Sequence, residues 1–316
     1  MIDEAFPSSS PRRPVALVDL VTTKTSEANR AFVTRVTRLV EEAGGRRVLA
    51  NEAVVPMIVP DERASEPDHA TRLLVVTRYP TPQAGRIALA RRKEGGPEFS
   101  ADGIRTYSAR PASGIEALVG RTLPSALGLL ARTPRPDITD ARQFEALSDA
   151  AHILGDDPES GIYEARWTEL VERAGGRPIW MLNFLEFAET AVYGEEARDV
   201  APRTPISGAL AYERYGRGMI GSLGAVGGRV GWSGRSIGQL EGTDDGKWHQ
   251  IVIAVYPSPA AMMAMLALPK YRAAHVHREA GLARTRLLAT QPLASLETPD
   301  TRPETGSARS KEEAEG

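Results

Sequence analysis

Asp19 and Asn183 are each the one polar residue inside an apolar run, PVALVDLV at 14–21 and IWMLNFL at 179–185. A carboxylate so placed has a raised pKa unless it is paired, which would suit a general base. An arginine partner would make it structural instead. An amide so placed must find hydrogen-bond partners. It could donate and accept in a barrel pocket, or tie strands together. Tyr79 and Tyr256 each stand before a proline at the end of a β-rich run. A phenol there could reach a ligand, or pack with its hydroxyl at a rim. His275 and His277 lie in one helical stretch. Two residues are about 200° of rotation, so the rings point to nearly opposite sides and do not share a metal. His277 is a candidate acid–base group and His275 a candidate pocket residue; either could be an ordinary helix-surface imidazole. Arg235, near a strand end, could hold an anionic ligand or a carboxylate of the other half of the chain. Trp232, with Trp180 and Trp248, reads as core or pocket wall rather than a platform for stacked bases. The candidate catalytic set is Asp19, Asn183, Tyr256 and His277. The candidate binding set is Arg235, Trp232, Tyr79 and His275.

Several chemistries are excluded. There is no cysteine, so thiolate metal sites, cysteine nucleophiles and disulfides are absent. No HExxH or GxSxG motif occurs, and no histidine–carboxylate cluster has metal-ligand spacing. The glycines of GSLGAVGG precede a strand rather than opening a helix, so they make no phosphate loop. The expectation is a protein without metal or cofactor. With 39 basic and 41 acidic residues the net charge is −2, which argues against nucleic acid as a partner. No apolar run approaches the roughly 20 residues that span a bilayer. The N-terminal segment lacks the apolar core of a signal peptide, and a cytoplasmic location is the default.

The elements that must position these residues repeat. A first strand at Val15–Val21 is followed by a helix from about Ser26 to Ala43, with Phe32, Val36, Leu39 and Val40 on one face. Gly44-Gly45 ends it. Strands at 47–59 and 72–79, a helix to about Arg92 and a strand at 104–110 complete a βαββαβ unit. From Pro178 the same order returns: a strand at 179–185, a longer insert from Glu186 to Pro205, and a helix capped by Ser207. Gly227-Gly228 then matches Gly44-Gly45, followed by strands at 229–240 and 248–256, helices, and a strand at 285–290. The expected domains are a tail at 1–13, a first ferredoxin-like unit at 14–112, a helical connector at 113–176, a second unit at 177–292 and a tail at 293–316. The connector should carry helices at 114–131, 139–154 and 158–174. One such unit leaves a bare sheet face that must be buried. The fold class is therefore α+β, two tandem βαββαβ units whose bare sheet faces either pack on each other or curl into a barrel.

Residues 178–292 resemble a bacterial family, domain of unknown function thirteen-thirty, within the dimeric α/β-barrel superfamily. The matching pieces are MLNFL (181–185), PISG with AYERYG (205–216), GGRV (227–230), WSGR (232–235), VYPS (255–258), PKYRAAHVHR (269–278) and LARTRLL (282–288). The first repeat resembles the superfamily in pattern only. The resemblance implies ferredoxin-like units paired into a barrel, and it supplies no reaction. Superfamily members include cofactor-free monooxygenases, polyketide cyclases, lactone isomerases and haem-degrading enzymes. His275 in YRAAH resembles the segment that carries the haem-ligating histidine of the last group, and Asn183 could match their first-strand asparagine. Tyr256 stands where they have tryptophan. Family members often carry an acidic residue where this chain has Arg284.

The functional expectation is an enzyme acting on a small, largely apolar organic molecule in a barrel pocket. Its chemistry would be cofactor-independent and acid–base, of isomerase, cyclase or monooxygenase type. The alternatives are a non-catalytic small-molecule-binding or scaffolding protein, and a haem-binding protein through His275. The chain would act as a monomeric pseudo-dimer or as a homodimer.

Overall fold

β1 (Val15–Thr22) is buried along nearly its whole length, on both faces, because it lies in the middle of a sheet with side chains packed on each side. In the computed structural model, the described residues are 13–23, 25–58, 71–94, 103–113, 162–242 and 246–293, with 116–118, 120, 122–124 and 126. The first repeat continues with α1 (Ser26–Glu42), β2 (Arg46–Ile58), β3 (Thr71–Tyr79), α2 (Pro82–Lys93) and β4 (Ile104–Pro111). After α3 (Ile162–Ala174), the second repeat runs β5 (Ile179–Phe187), α4 (Gly208–Ala225), β6 (Arg229–Glu241), β7 (Gln250–Tyr256), α5 (Pro259–Ala267), α6 (Pro269–Gly281) and β8 (Leu282–Pro292). A single 3-10 turn, Glu195–Val200, lies in the insert between β5 and α4.

Local chemistry sets the helix starts. Thr25, Thr81, Ser207 and Ser258 each accept from a backbone N–H in the first turn, which satisfies a donor that the helix itself cannot. Gly44 and Gly227 take positive φ, 69° and 78°, just beyond α1 and α4, where a side chain would be strained.

The strands close into one barrel in the order β1-β3-β2-β8-β5-β7-β6-β4. All pairings are antiparallel. Each repeat has the ferredoxin-like order, and the repeats join at two seams, β2 with β8 and β4 with β6. Asp19 lies opposite Val75 and Thr106, and Asn183 opposite Val252 and Leu287. The two first strands therefore hold equivalent central positions.

Side chains fill the barrel. Val18, Leu20, Leu74, Val76 and Tyr107 from the first repeat form one cluster with Leu182, Phe184, Ile251, Ile253 and Leu288 from the second. The other clusters lie outside, between sheet and helices. α3 covers the outer face of β2: Trp167 and Leu170 share a core with Val55 and Met57, and Arg166 donates to Met57 O at 3.1 Å. The expected helix at 139–154 and most of the two tails lie outside the described residues. Leu293, expected in the C-terminal tail, is buried and donates its N–H to Ala50 O at 3.1 Å.

One buried ionic link crosses the β4–β6 seam. Arg92 on α2 donates to Asp19 Oδ1 at 2.8 Å and to Thr106 Oγ1 at 2.6 Å, and also pairs with Glu241 at the end of β6. Thr106 Oγ1 stands 2.7 Å from Asp19 Oδ1 and 2.8 Å from Glu241 Oε2. Asp19 and Arg92 are only 1% and 4% exposed. Removing one partner of such a pair leaves an uncompensated buried charge. Arg92→Ala is therefore expected to lose about 3–5 kcal/mol of stability, read as a lower urea midpoint. A loss below about 1 kcal/mol, the range of a surface pair, would show that the link does not hold the seam.

Candidate binding crevice on the second repeat

The two first-strand polar residues face the helices, not the barrel interior. Asp19 alternates with Leu17 and Val21 beneath α1 and α2, while Val18 and Leu20 point inward. Asn183 likewise shares its face with Ile179 and Met181, and Leu182 and Phe184 fill the interior. This corrects the expectation of a barrel pocket. The two-residue period of a strand fixes which residues share a face, and here the shared inner face is apolar and occupied. Arg92 and Thr106 hold Asp19 Oδ1, the arginine pairing the sequence offered as its structural alternative, while the buried Oδ2 has no hydrogen-bond partner.

The outer face of the second repeat is open where that of the first is sealed. Across β8-β5-β7-β6 the register aligns Thr285, Leu185, Gln250 and Arg235, and beside them Leu287, Asn183, Val252 and Ser233. Thr285, Gln250, Asn183, Val252 and Ser233 are half-buried, and Arg235 is exposed. The matching positions around Asp19 are closed: Val75 and Thr106 are 0% exposed. A central strand is normally the best covered, so half-exposed residues on β5 and β7 mark a part of the sheet that its helices leave partly uncovered. Asn183 donates from Nδ2 to Met181 O at 3.0 Å and to Val252 O at 3.5 Å. Its Oδ1 accepts no hydrogen bond from a described residue.

Aromatic side chains and one arginine line the covered side. Tyr212 lies 5.4 Å from Phe187 and 5.2 Å from Tyr215, ring centre to ring centre. Burial pushes the phenols of Tyr212, Tyr215, Tyr256 and Tyr271 up, against the opposing field of Arg278, so all four stay protonated. Arg278, 8% exposed, reaches Thr285 Oγ1 at 3.4 Å and forms no ion pair among the described residues. His249 stands at the end of the strip. Its ring stacks on Phe187 at 5.6 Å, and its Nδ1 accepts the Phe187 N–H at 2.9 Å. With Nδ1 accepting, a neutral ring carries its proton on Nε2, as a donor.

The remaining predicted residues fall elsewhere. Tyr256 is buried in the same helix-covered layer and donates to Met265 Sδ at 3.8 Å, a packing role. His275 is wedged by Tyr271 and Tyr215, with ring centres 5.5 and 6.4 Å away. Its Nδ1 is 3.4 Å from Glu279 Oε1, and its buried Nε2 has no hydrogen-bond partner. Haem does not fit this arrangement: an axial ligand needs an open face, and the imidazole is 3% exposed between two phenols. His277 points away, as the helical spacing predicts, and lies 2.9 Å from the Tyr193 hydroxyl on the insert. That contact, with Val192 N–H to Ala280 O at 2.9 Å, pins the insert to α6. Trp232 belongs to the barrel interior. Tyr79, pushed up to about 12 by burial, lines a separate cleft under α1 and α2 with Leu17, Leu39, Leu89 and Arg92. Its room of about 10 Å³ holds about one water. Arg284, where the family often has an acid, pairs with Glu186 at 3.1 Å and stacks over Trp248.

The structure thus brings Asn183 and Arg235 onto one strip, with Tyr256 and His275 in the layer behind it. Arg278, Thr285 and His249 were not among the candidates from sequence. The His277-Arg278 dipeptide is the signal in the sequence for Arg278. Among the described residues no group of histidines and carboxylates could hold a metal ion. No described helix is long and apolar enough to cross a membrane.

A protein of unknown function from Rhodopseudomonas palustris is 31% identical to this chain over 95% of its own length, which matches 44% of this chain, with a TM-score of 0.37. The chain belongs to the family of that protein. The relative is matched by less than half of this chain, so the family member here carries additional length. At 12% identity, an anthrone oxidase-like protein matches 89% of this chain and 91% of its own, with a TM-score of 0.40. A chlorite dismutase variant from Candidatus Nitrospira defluvii, also 12% identical, matches 91% of this chain and 94% of its own at 0.36. No function is taken from these two. No family model matches the sequence, and no curated protein matches it.

Burial lowers His275 and His277 below the ordinary 6.5, opposed at His275 by Glu279 and reinforced at His277 by Arg214. A lowered imidazole favours the neutral form in the folded state, so the unfolded chain takes up its proton first as pH falls. Their stabilising contribution is full above pH 6.5 and declines below it. The expected result is that both rings titrate below 6.5 in an NMR titration, and that the urea midpoint falls with pH over the same window. Either ring titrating above 6.5 would contradict the burial seen here.

Proposed function

We propose that the crevice over Asn183 binds a small, largely apolar organic molecule, and that the protein is an enzyme acting on it without metal or nucleotide. The observation that carries this reading is the asymmetry between equivalent strands. The strip around Asp19 is sealed by its own ion pair, and the strip around Asn183 is half-open and polar, with aromatic rings behind it. Binding sites combine apolar walls with a few convergent polar groups, which is the composition found here. A guanidinium facing this space stabilises negative charge developing on an oxygen, and the Asn183 Oδ1 can accept from a donor on the ligand. That suits isomerase, cyclase or monooxygenase-type chemistry at an enolisable centre. In this reading His249 donates a hydrogen bond from Nε2 to the ligand at the rim. Asp19 and His277 are structural, each held by a partner.

A non-catalytic binding protein is the second reading. It is favoured by one observation: among the described residues, no unengaged carboxylate meets Asn183. We infer further, from MLNFL, WSGR and PKYRAAHVHR, that the shared family is domain of unknown function thirteen-thirty.

The neutral fluorescent probe N-phenyl-1-naphthylamine tests the site. Wild type should bind it saturably at one site. Val252→Trp, which fills the crevice from the strand opposite Asn183, should weaken binding by about tenfold or more, about 1.4 kcal/mol. No binding to wild type, or equal binding to both proteins, would refute the crevice as a ligand site.

A further inference from the structure

Arg92 and Arg278 occupy comparable places. Each lies on the helical segment that joins the third strand of its repeat to the fourth. Each packs on the outer face of the sheet, and each touches a threonine of the fourth strand, Thr106 or Thr285. Their partners differ. Arg92 has two carboxylates, Asp19 and Glu241. Arg278 is 8% exposed, has a single long hydrogen bond to a neutral hydroxyl and no carboxylate at ion-pair distance among the described residues; the neighbouring Glu279, itself held by His275, feels its charge at longer range. The first-strand position that supplies a carboxylate in the first repeat supplies an amide, Asn183, in the second.

A buried guanidinium is costly unless an anion meets it. None of its nitrogens is among the fully enclosed, unpartnered atoms, so the group reaches open space. Thr285 sits diagonally across from Asn183 on the neighbouring strand, a separation of about 7 Å. A group seated between them can present an anionic oxygen to Arg278, and the free Asn183 Oδ1, an acceptor, is left for a donor elsewhere on a ligand. The surrounding phenols are all protonated and can donate but cannot neutralise the charge.

We propose that Arg278 is the anion anchor of this crevice, and that the ligand is a planar aromatic carboxylate whose charged end takes the place that Asp19 fills in the first repeat. The carboxylate faces the Arg278 guanidinium, beside Thr285, whose hydroxyl donates to Phe184 O at 3.2 Å, and the ring lies against Tyr212 and Phe187. This rests on the reading of the crevice as a ligand site. Charge-assisted hydrogen bonds to a guanidinium are roughly twice as strong as neutral ones, so the anchor selects carboxylates over neutral isosteres.

Isothermal titration calorimetry of the full chain with 2-naphthoate and with 2-naphthylmethanol separates the two ideas. Wild type should prefer the carboxylate by about tenfold or more. Arg278→Met keeps bulk and removes charge, and should reduce the preference to within about twofold. Asn183→Asp supplies an internal carboxylate, as in the first repeat, and should collapse the preference as well, so the result does not depend on one variant folding. Equal affinity for the two probes in wild type, or a preference that survives both substitutions, overturns the anion anchor and leaves the crevice standing. Binding of neither probe to wild type overturns the crevice itself.

Discussion

A four-stranded βαββαβ sheet has two unpaired edges and one bare apolar face, and neither can be left in water. Unpaired edges invite pairing with other chains, and the bare face must be covered. This chain meets both needs with its own second copy. β2 pairs with β8 and β4 with β6, so no edge remains, and the two bare faces fill a common interior. Everything else is arranged around that closure. The helices lie outside, α3 covers β2, and the Arg92 link fastens α2 and β1 to the end of β6 across one seam.

Closure also decides where function can lie. Once the interior is packed with Leu, Val, Ile and aromatic side chains, a ligand must sit between sheet and helices. The two repeats treat that layer differently. The first seals it, with a buried ion pair at the position of Asp19. The second replaces the acid with Asn183 and leaves Val252, Ser233 and Thr285 partly open. In the proposed reading, one copy stabilises the barrel and the other keeps a crevice. A duplicated fold allows such a division, because losing coverage on one side is offset by the packing of the other.

The order of elements was legible in the sequence because each repeat is punctuated alike, by a proline before the first strand, a double glycine after the first helix and a Tyr-Pro after the third strand. The shared face of Met181, Asn183 and Leu185 was legible too, since alternation fixes it. Which side of the sheet that face looks toward was not. Both faces of a central strand are apolar, so the pattern cannot distinguish helices from barrel interior. The partner of Asp19 was foreseen as an arginine but not identified, because Arg92 and Glu241 lie far away in sequence and meet it only through the closed barrel. Arg278 was passed over for the same reason: what sets it apart is the lack of a carboxylate partner, and that is a property of the folded surroundings. The opposed directions of His275 and His277 followed from helical geometry alone.

The central claim is that the second repeat leaves to a ligand the carboxylate that the first supplies from its own chain. A crystal structure of the full chain soaked with 2-naphthoate tests it most directly. The account predicts one bound molecule over β5, its carboxylate on Arg278 and its ring against Tyr212, with the Asp19–Arg92 pair undisturbed. A naphthoate bound inside the barrel, or bound under α1 and α2 with Arg278 unoccupied, would contradict it.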